Sequence, residues 1–160
     1  MVTAFAEMLK RHASEGRVDW IGLRPGRRED LLTPDRADVT EEGLAGDHAK
    51  PGKRAVTLIQ AEHLPIIASL AGREAVRPEE LRRNLVVSGI NLAALRKSRI
   101  QVGSAVLQIT GPCPPCSRME EVLGFGGYNA MRGHGGWYAT VESEGQVAIG
   151  DGVVHLTENS

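Results

Sequence analysis

Only two cysteines occur in the 160 residues, at positions 113 and 116, and that scarcity sets the first limits. Two thiols three positions apart are too close to staple a secreted scaffold. They also make at most half of a structural zinc set, because there is no second cysteine pair and His48, His63 and His134 show no paired spacing. Long apolar runs are missing as well. None approaches the roughly 20 residues needed to cross a bilayer, and residues 1–11 carry acidic and basic side chains inside their apolar stretch, unlike a signal-peptide core. A cytoplasmic location with no membrane partner is the expectation. Charge of one sign is not in excess: 19 Lys and Arg stand against 20 Asp and Glu, a formal net charge of -1, which argues against nucleic acid as a partner and makes any basic site local. Glycine motifs for dinucleotides or nucleoside triphosphates, internal repeats and low-complexity tracts are all lacking. A chain of this length fits one domain, residues 1–160, large enough to bury a core without metal or disulfides.

What is present is concentrated in Thr110-Gly111-Pro112-Cys113-Pro114-Pro115-Cys116-Ser117-Arg118-Met119-Glu120. The apolar Val106-Leu107-Gln108-Ile109 before it reads as a strand, and Ser117 with Glu120 three residues on reads as a capping box that opens a short helix. Cys116 then stands just before a helix N-terminus, where backbone N–H groups favour a thiolate. Three prolines stiffen the loop and remove backbone donors. A rigid loop presenting a sulfur anion suits a metal ligand or a sulfur carrier. The same pair is compatible with buried, inert cysteines or with a redox disulfide.

Along the chain, residues 2–12 have the spacing of a short amphipathic helix, a terminal appendage within residues 1–14. Residues 16–23 read as the first strand, stopped by Arg24-Pro25-Gly26; the Arg27 and Arg28 that follow read as a solvated pair. An extended loop through Asp47, His48 and Lys50-Pro51-Gly52 feeds a strand over 53–59, whose apolar centre predicts burial on both faces or a barrel wall, with Lys53 and Arg54 at the rim. Helical spacing follows over 60–70, then a short helix opens at Pro78. Strands are expected at 85–87, 99–103, 105–109, 137–141, 146–149 and 153–156. The glycine-rich stretch 124–136 reads either as a segment loose enough to close over a ligand, with Tyr128, Asn129, Arg132 and His134 as contacts, or as a simple surface connection with those side chains in solvent. Many short strands with a few inserted helices favour a mainly β, partly closed barrel with short peripheral helices over a doubly wound sheet.

The order of Gly43-Leu44-Ala45-Gly46-Asp47, Arg54-Ala55-Val56-Thr57-Leu58-Ile59, Leu81-Arg82-Arg83-Asn84-Leu85-Val86-Val87-Ser88-Gly89, the cysteine loop, Gly136-Trp137-Tyr138-Ala139-Thr140-Val141 and Ile149-Gly150-Asp151 resembles the MOSC domain, named for the C-terminal domain of molybdenum cofactor sulfurase. The resemblance covers about residues 17–156 and implies a β-barrel with small helices at its periphery. It also implies a functional cysteine, either a molybdenum ligand, as in the amidoxime reducing component and small bacterial reductases of N-hydroxylated compounds, or a sulfur carrier. The matching residue is Cys116. Cys113 departs from the pattern, and would permit disulfide or persulfide chemistry with it.

Molybdopterin carries a phosphate and a polar pterin, so a site for it needs cations for the oxygen anions, amides for the ring edge and a thiolate for the metal. Arg82, Asn84 and Arg54 are the expected contacts, joined by Lys53, His48 and Arg118. The resemblance implies an enzyme that reduces N-hydroxylated small molecules with electrons from donor proteins. The alternatives are a Cys116 persulfide carrier, resolved by Cys113 and fed by a sulfur donor such as a cysteine desulfurase, or a molybdopterin-binding module without catalysis. No aminotransferase-like domain accompanies these segments, so pyridoxal phosphate is not expected.

Overall fold

The structure, a computed structural model, describes residues 3–49 and 52–157. The elements are α1 (Ala4–Met8), β1 (Gly16–Ile21), β2 (Arg36–Thr40), β3 (Gly43–Leu44), β4 (Val56–Gln60), α2 (Leu64–Leu70), α3 (Pro78–Leu81) and β5 (Leu85–Ser88). They continue with β6 (Arg99–Val102), β7 (Ala105–Pro112), α4 (Arg118–Leu123), α5 (Gly127–Met131), β8 (Trp137–Ser143), β9 (Gly145–Ala148) and β10 (Gly152–Leu156). Seven strands close a ring in the order β1-β10-β6-β7-β8-β4-β5. The partly closed barrel expected from the sequence is therefore closed all the way round: β5 returns to β1 with Val18 opposite Val87, and β4–β5 is the one parallel pair in the ring. The helices are short and peripheral, as expected.

β2, β3 and β9 form a second sheet. The sequence reading missed β2, because Arg36-Ala37-Asp38-Val39-Thr40 alternates correctly but buries only Ala37 and Val39. Residues 43–44, loop-like in sequence, pair instead with β2. At the N-terminus α1 fully buries none of its residues, in keeping with an appendage. Val2, Lys50 and Pro51, which the sequence reading included, lie outside the described residues.

β4 explains its own composition. All five of its residues are buried, because two apolar clusters meet across it. Val56 and Leu58 join the barrel interior with Val18, Ile21, Leu85, Val87, Ile100, Leu107 and Ile109. Ile59 and Val86 face outward into a second cluster with Ile67, Leu81, Met119, Leu123 and Met131, contributed by α2, α3, α4 and α5. Each fully buried aliphatic side chain contributes on the order of 1.5–3 kcal/mol. A strand covered on both sides has no face to show to water, and its two polar residues, Thr57 and Gln60, are hydrogen-bonded internally, to Asn84 Oδ1 and to the Ile90 carbonyl.

The stretch 124–136 differs from the loose segment expected. Residues Gly127–Met131 are helical, and Gly127, Ala130 and Met131 are buried. Its glycines serve close packing: a Cβ on Gly127 would lie 2.5 Å from the Met119 carbonyl, and one on Gly136, whose φ is +92°, would lie 2.2 Å from the Leu58 carbonyl. No β-carbon fits at either distance, so the segment is clamped to α4 and β4.

Candidate functional site

Asp47 ties three stretches of chain together. Its carboxylate is fully enclosed. It accepts from the Arg24 backbone N–H at 2.7 Å, from Arg24 Nε at 3.0 Å and Nη2 at 2.9 Å, from the Ala49 N–H at 3.1 Å and from Asn84 Nδ2 at 3.1 Å. Burial raises the pKa of this acid, but the hydrogen bonds and charge of Arg24, with the Asn84 amide, outweigh it and hold the group below the ordinary carboxylate value. The carbonyl of Arg24 in turn accepts from the His48 N–H at 2.8 Å and lies 2.9 Å from His48 Nδ1.

Around this knot lies a cleft of about 190 Å³ lined by Arg24, Arg27, Arg28, His48, Leu81, Arg82, Arg83, Cys116, Arg118 and Met119. Six of the ten are arginines and none is an acid. Of the residues expected from the sequence, the cleft gathers Cys116, Arg82, Arg118 and His48. Arg24, Arg27, Arg28 and Arg83 are additional. The arginine density of Arg24-Pro25-Gly26-Arg27-Arg28 was the signal that could have found three of them. A second hollow of about 380 Å³ shares Arg82 and Arg118 and adds Asp30, Leu31, Arg77, Glu79, Glu80 and Val122.

Three of the expected cofactor contacts, Asn84, Arg54 and Lys53, lie elsewhere. Asn84 is fully buried, its Oδ1 accepting from the Thr57 N–H and hydroxyl and its Nδ2 donating to the Gly22 carbonyl and to Asp47. It braces the knot from below and has no donor or acceptor left for a ligand. Arg54 stacks on the Tyr138 ring, 4.9 Å from its centroid. Lys53 and Arg54 precede β4 in a turn, where the Lys53 carbonyl accepts from the Thr110 hydroxyl at 2.7 Å. Tyr128, Asn129, Arg132 and His134 do not line the cleft.

The cysteine loop also departs from its local motif. Ser117 makes no capping bond, because its own φ of -59° and ψ of -23° are already helical and not the extended geometry that aims a capping hydroxyl. Glu120 instead folds forward to accept from the Gly126 and Tyr128 N–H groups at 2.9 and 3.0 Å, tying α4 to α5. Met119 and Leu123 anchor α4 in the outer cluster, which leaves Cys116 exposed at its entrance. Cys113 is buried, and its N–H donates to the Gly136 carbonyl at 2.8 Å. Burial pushes its thiol up to about 11, against the pull of the Arg83, Arg24 and Arg54 charges and a hydrogen bond with Arg83. The end of the glycine-rich stretch does reach this site, since Arg83 Nε donates to the Gly135 carbonyl at 2.8 Å.

The two thiols should therefore separate in alkylation. At about pH 8 a group titrating near 11 is ionised in only about one molecule in a thousand, so one equivalent of iodoacetamide is expected to modify Cys116 and leave Cys113 intact. Peptide mass mapping reads the result, and equal labelling of both would contradict the burial difference.

The MOSC domain family pattern matches residues 35–154. The fold is similar to the crystal structure of the YuaD protein from Bacillus subtilis, with a TM-score of 0.77 at 21% identity over 91% of this chain and 98% of that one. It is also similar to YiiM from Escherichia coli, with a TM-score of 0.72 at 22% identity over 91% and 71% of the two chains. YiiM from Geobacillus stearothermophilus gives a TM-score of 0.74 at 19% identity over 89% and 75%. No curated protein sequence matches. Among the described residues no helix is long and apolar enough to cross a membrane.

Proposed function

Because the chain belongs to the MOSC domain family, we propose that it binds molybdenum cofactor in the arginine-lined cleft through Cys116 and reduces N-hydroxylated small molecules with electrons from donor proteins. The observation that carries this reading is one exposed thiol set among six arginines with no acid in the lining. A soft sulfur ligand beside hard cationic donors matches the two ends of the cofactor, a metal that prefers thiolate and a phosphate that prefers guanidinium. The residues present fit the group. Cys116 would hold the metal; Arg27, Arg28 and Arg118 would face the anionic end.

When bound, the group supplies the redox chemistry, and the protein supplies placement and charge. Arg24 is held rigid by Asp47, which offsets its charge, so it fixes the wall of the cleft and leaves the unpaired arginines to face an anion. Arg83 is committed to the Leu81 and Gly135 carbonyls and keeps the glycine-rich stretch against the cysteine loop. The neighbouring hollow, with Leu31 and Val122 beside Asp30 and Glu79, offers a mixed surface for a small substrate next to the cationic cleft.

A sulfur-carrier reading draws on the same exposed Cys116. It loses the resolving role expected of Cys113, since a buried thiol pushed up to about 11 is a poor nucleophile near neutral pH. Elemental analysis and intact mass of protein purified from a host that makes molybdenum cofactor test the choice. About one molybdenum per chain is expected. A mass gain of one sulfur atom on Cys116 with no metal would replace the first reading with the second, and neither signal would end both.

A further inference from the structure

The turn carrying Arg27 and Arg28 is held differently from the rest of the cleft. Glu29 closes it by donating its N–H to the Gly26 carbonyl at 3.3 Å. Within it Arg28 has a φ of +64°, a left-handed conformation that residues with a β-carbon avoid. One side chain clamps both ends: Arg82 donates from Nη1 to the Glu29 carbonyl at 2.6 Å and from Nη2 to the Gly26 carbonyl at 3.2 Å. Arg82 itself has a φ of +56°. Burial, then the like charges of Arg118 and Arg24, lower its pKa against the attraction of Asp47 and Asp30. The left-handed φ of Arg82 ends α3, where it is the C-cap residue, while its crowded guanidinium and the left-handed Arg28 are committed to the shape of a single surface turn.

Glycine at position 28 would adopt this φ without strain. Here the strained position carries an arginine next to another arginine, and among the described residues neither Arg27 nor Arg28 has a hydrogen-bond or ion-pair partner. Arg24 and Arg83, by contrast, are spent on Asp47 and on carbonyls. The nearest acid of the turn, Glu29, has its carboxylate under Gly26, where an added Cβ would lie 2.8 Å away. Left-handed non-glycine residues cluster at functional sites, so Arg28 is a position at which to look for function.

We propose that the Arg27–Arg28 turn is a phosphate-binding arm, held in its strained shape by Arg82 acting as a positioning residue, and that it takes the phosphate monoester of a ligand in the cleft. That phosphate belongs either to the cofactor itself or to a phosphorylated substrate. The proposal rests on the cleft being an anion site and does not depend on molybdenum.

Titration calorimetry with inorganic phosphate at low ionic strength tests it on the protein purified without cofactor. The parent is expected to bind saturably. Arg28→Gly should weaken binding by at least about ten-fold through loss of a charge-assisted contact and yet melt at a higher temperature than the parent, because glycine relieves the strain. Arg28→Lys keeps the charge and the strain, so it should bind within about three-fold of the parent with no gain in melting temperature. Arg82→Gln should weaken binding and speed hydrogen exchange at the Glu29 amide, with partial rescue of both by Arg82→Lys. Absence of phosphate binding by the parent, or parental affinity in Arg28→Gly, would overturn the proposal. So would an equal loss in Arg17→Gln, a remote exposed control, because it would reveal bulk charge alone. Repeating the titration on cofactor-loaded protein identifies the source: blocked binding assigns the arm to the cofactor phosphate, and retained binding assigns it to substrate. Failure to load cofactor would count against the proposed function and leave the phosphate result standing.

Discussion

Replacing Cys116 with serine is expected to lower the molybdenum content of the purified protein by at least about a hundred-fold, since a hydroxyl is a poor substitute for a soft ligand. The fold should not notice. Cys116 is exposed, and substitutions at such positions stay within about 0.5 kcal/mol. Cys113→Ser should do the reverse. It puts a hydroxyl where a buried thiol packs, with an expected cost of about 1–2 kcal/mol, and it leaves metal content near the parental value. Elemental analysis and urea denaturation of the two variants side by side give the answer. Retained metal in Cys116→Ser together with its loss in Cys113→Ser would sink the assignment of the ligand.

The largest loss of stability is expected from Asp47→Ala. The substitution leaves the Arg24 guanidinium, 17% exposed, without its counter-charge, and it strips partners from the Ala49 N–H and the Asn84 amide. Breaking a buried pair from one side costs about 3–5 kcal/mol, and urea denaturation of the variant measures it. A loss below about 1 kcal/mol would mean that water replaces the carboxylate without penalty. The same residue sets an acid limit. Its folded-state pKa lies below the ordinary 3.8, so its stabilisation is fully present above the unfolded-state value and disappears as pH falls through the folded-state value. The gap in stability between the parent and Asp47→Asn should therefore narrow as pH is lowered from about 5 to about 2. A gap independent of pH would show that the carboxylate is not the group concerned.

Much of the barrel was legible because strand patterns are local. Residues 99–103 and 105–109 alternate, and they pair as the hairpin β6–β7. Of the contacts expected with the thiol, Arg82, Arg118 and His48 share its cleft, whereas Asn84, Arg54 and Lys53 do not line it. What could not be read depends on distant partners. Arg24 becomes part of the site only through Asp47, 23 positions away, and nothing in either local sequence declares that pairing. Asn84 carries polar atoms beside a strand, as a ligand contact would, but the chain folds that side inward onto Thr57 and Gly22. Ser117 and Glu120 have the spacing of a capping box, yet the neighbouring N–H groups of Gly126 and Tyr128 compete successfully for the carboxylate. Local motifs state what a residue can do; long-range contacts decide which option it takes.

The two apolar clusters on either side of β4 and β5 divide the cleft between them. Arg24 and His48 extend from segments next to Leu23 and Leu44, which belong to the barrel interior. Leu81 and Met119, with Arg82, Arg83, Cys116 and Arg118 beside them in sequence, belong to the outer layer. The cleft is thus a seam between the barrel interior and the helical layer, and local opening of the helical layer would erase one of its walls. A ligand that bridges the seam binds only the closed pair, so its binding free energy adds to the cohesion between the layers as well as to the stability of the whole. Affinity at this site and the cohesion of its two layers are thereby linked, each strengthening the other by the same coupling free energy.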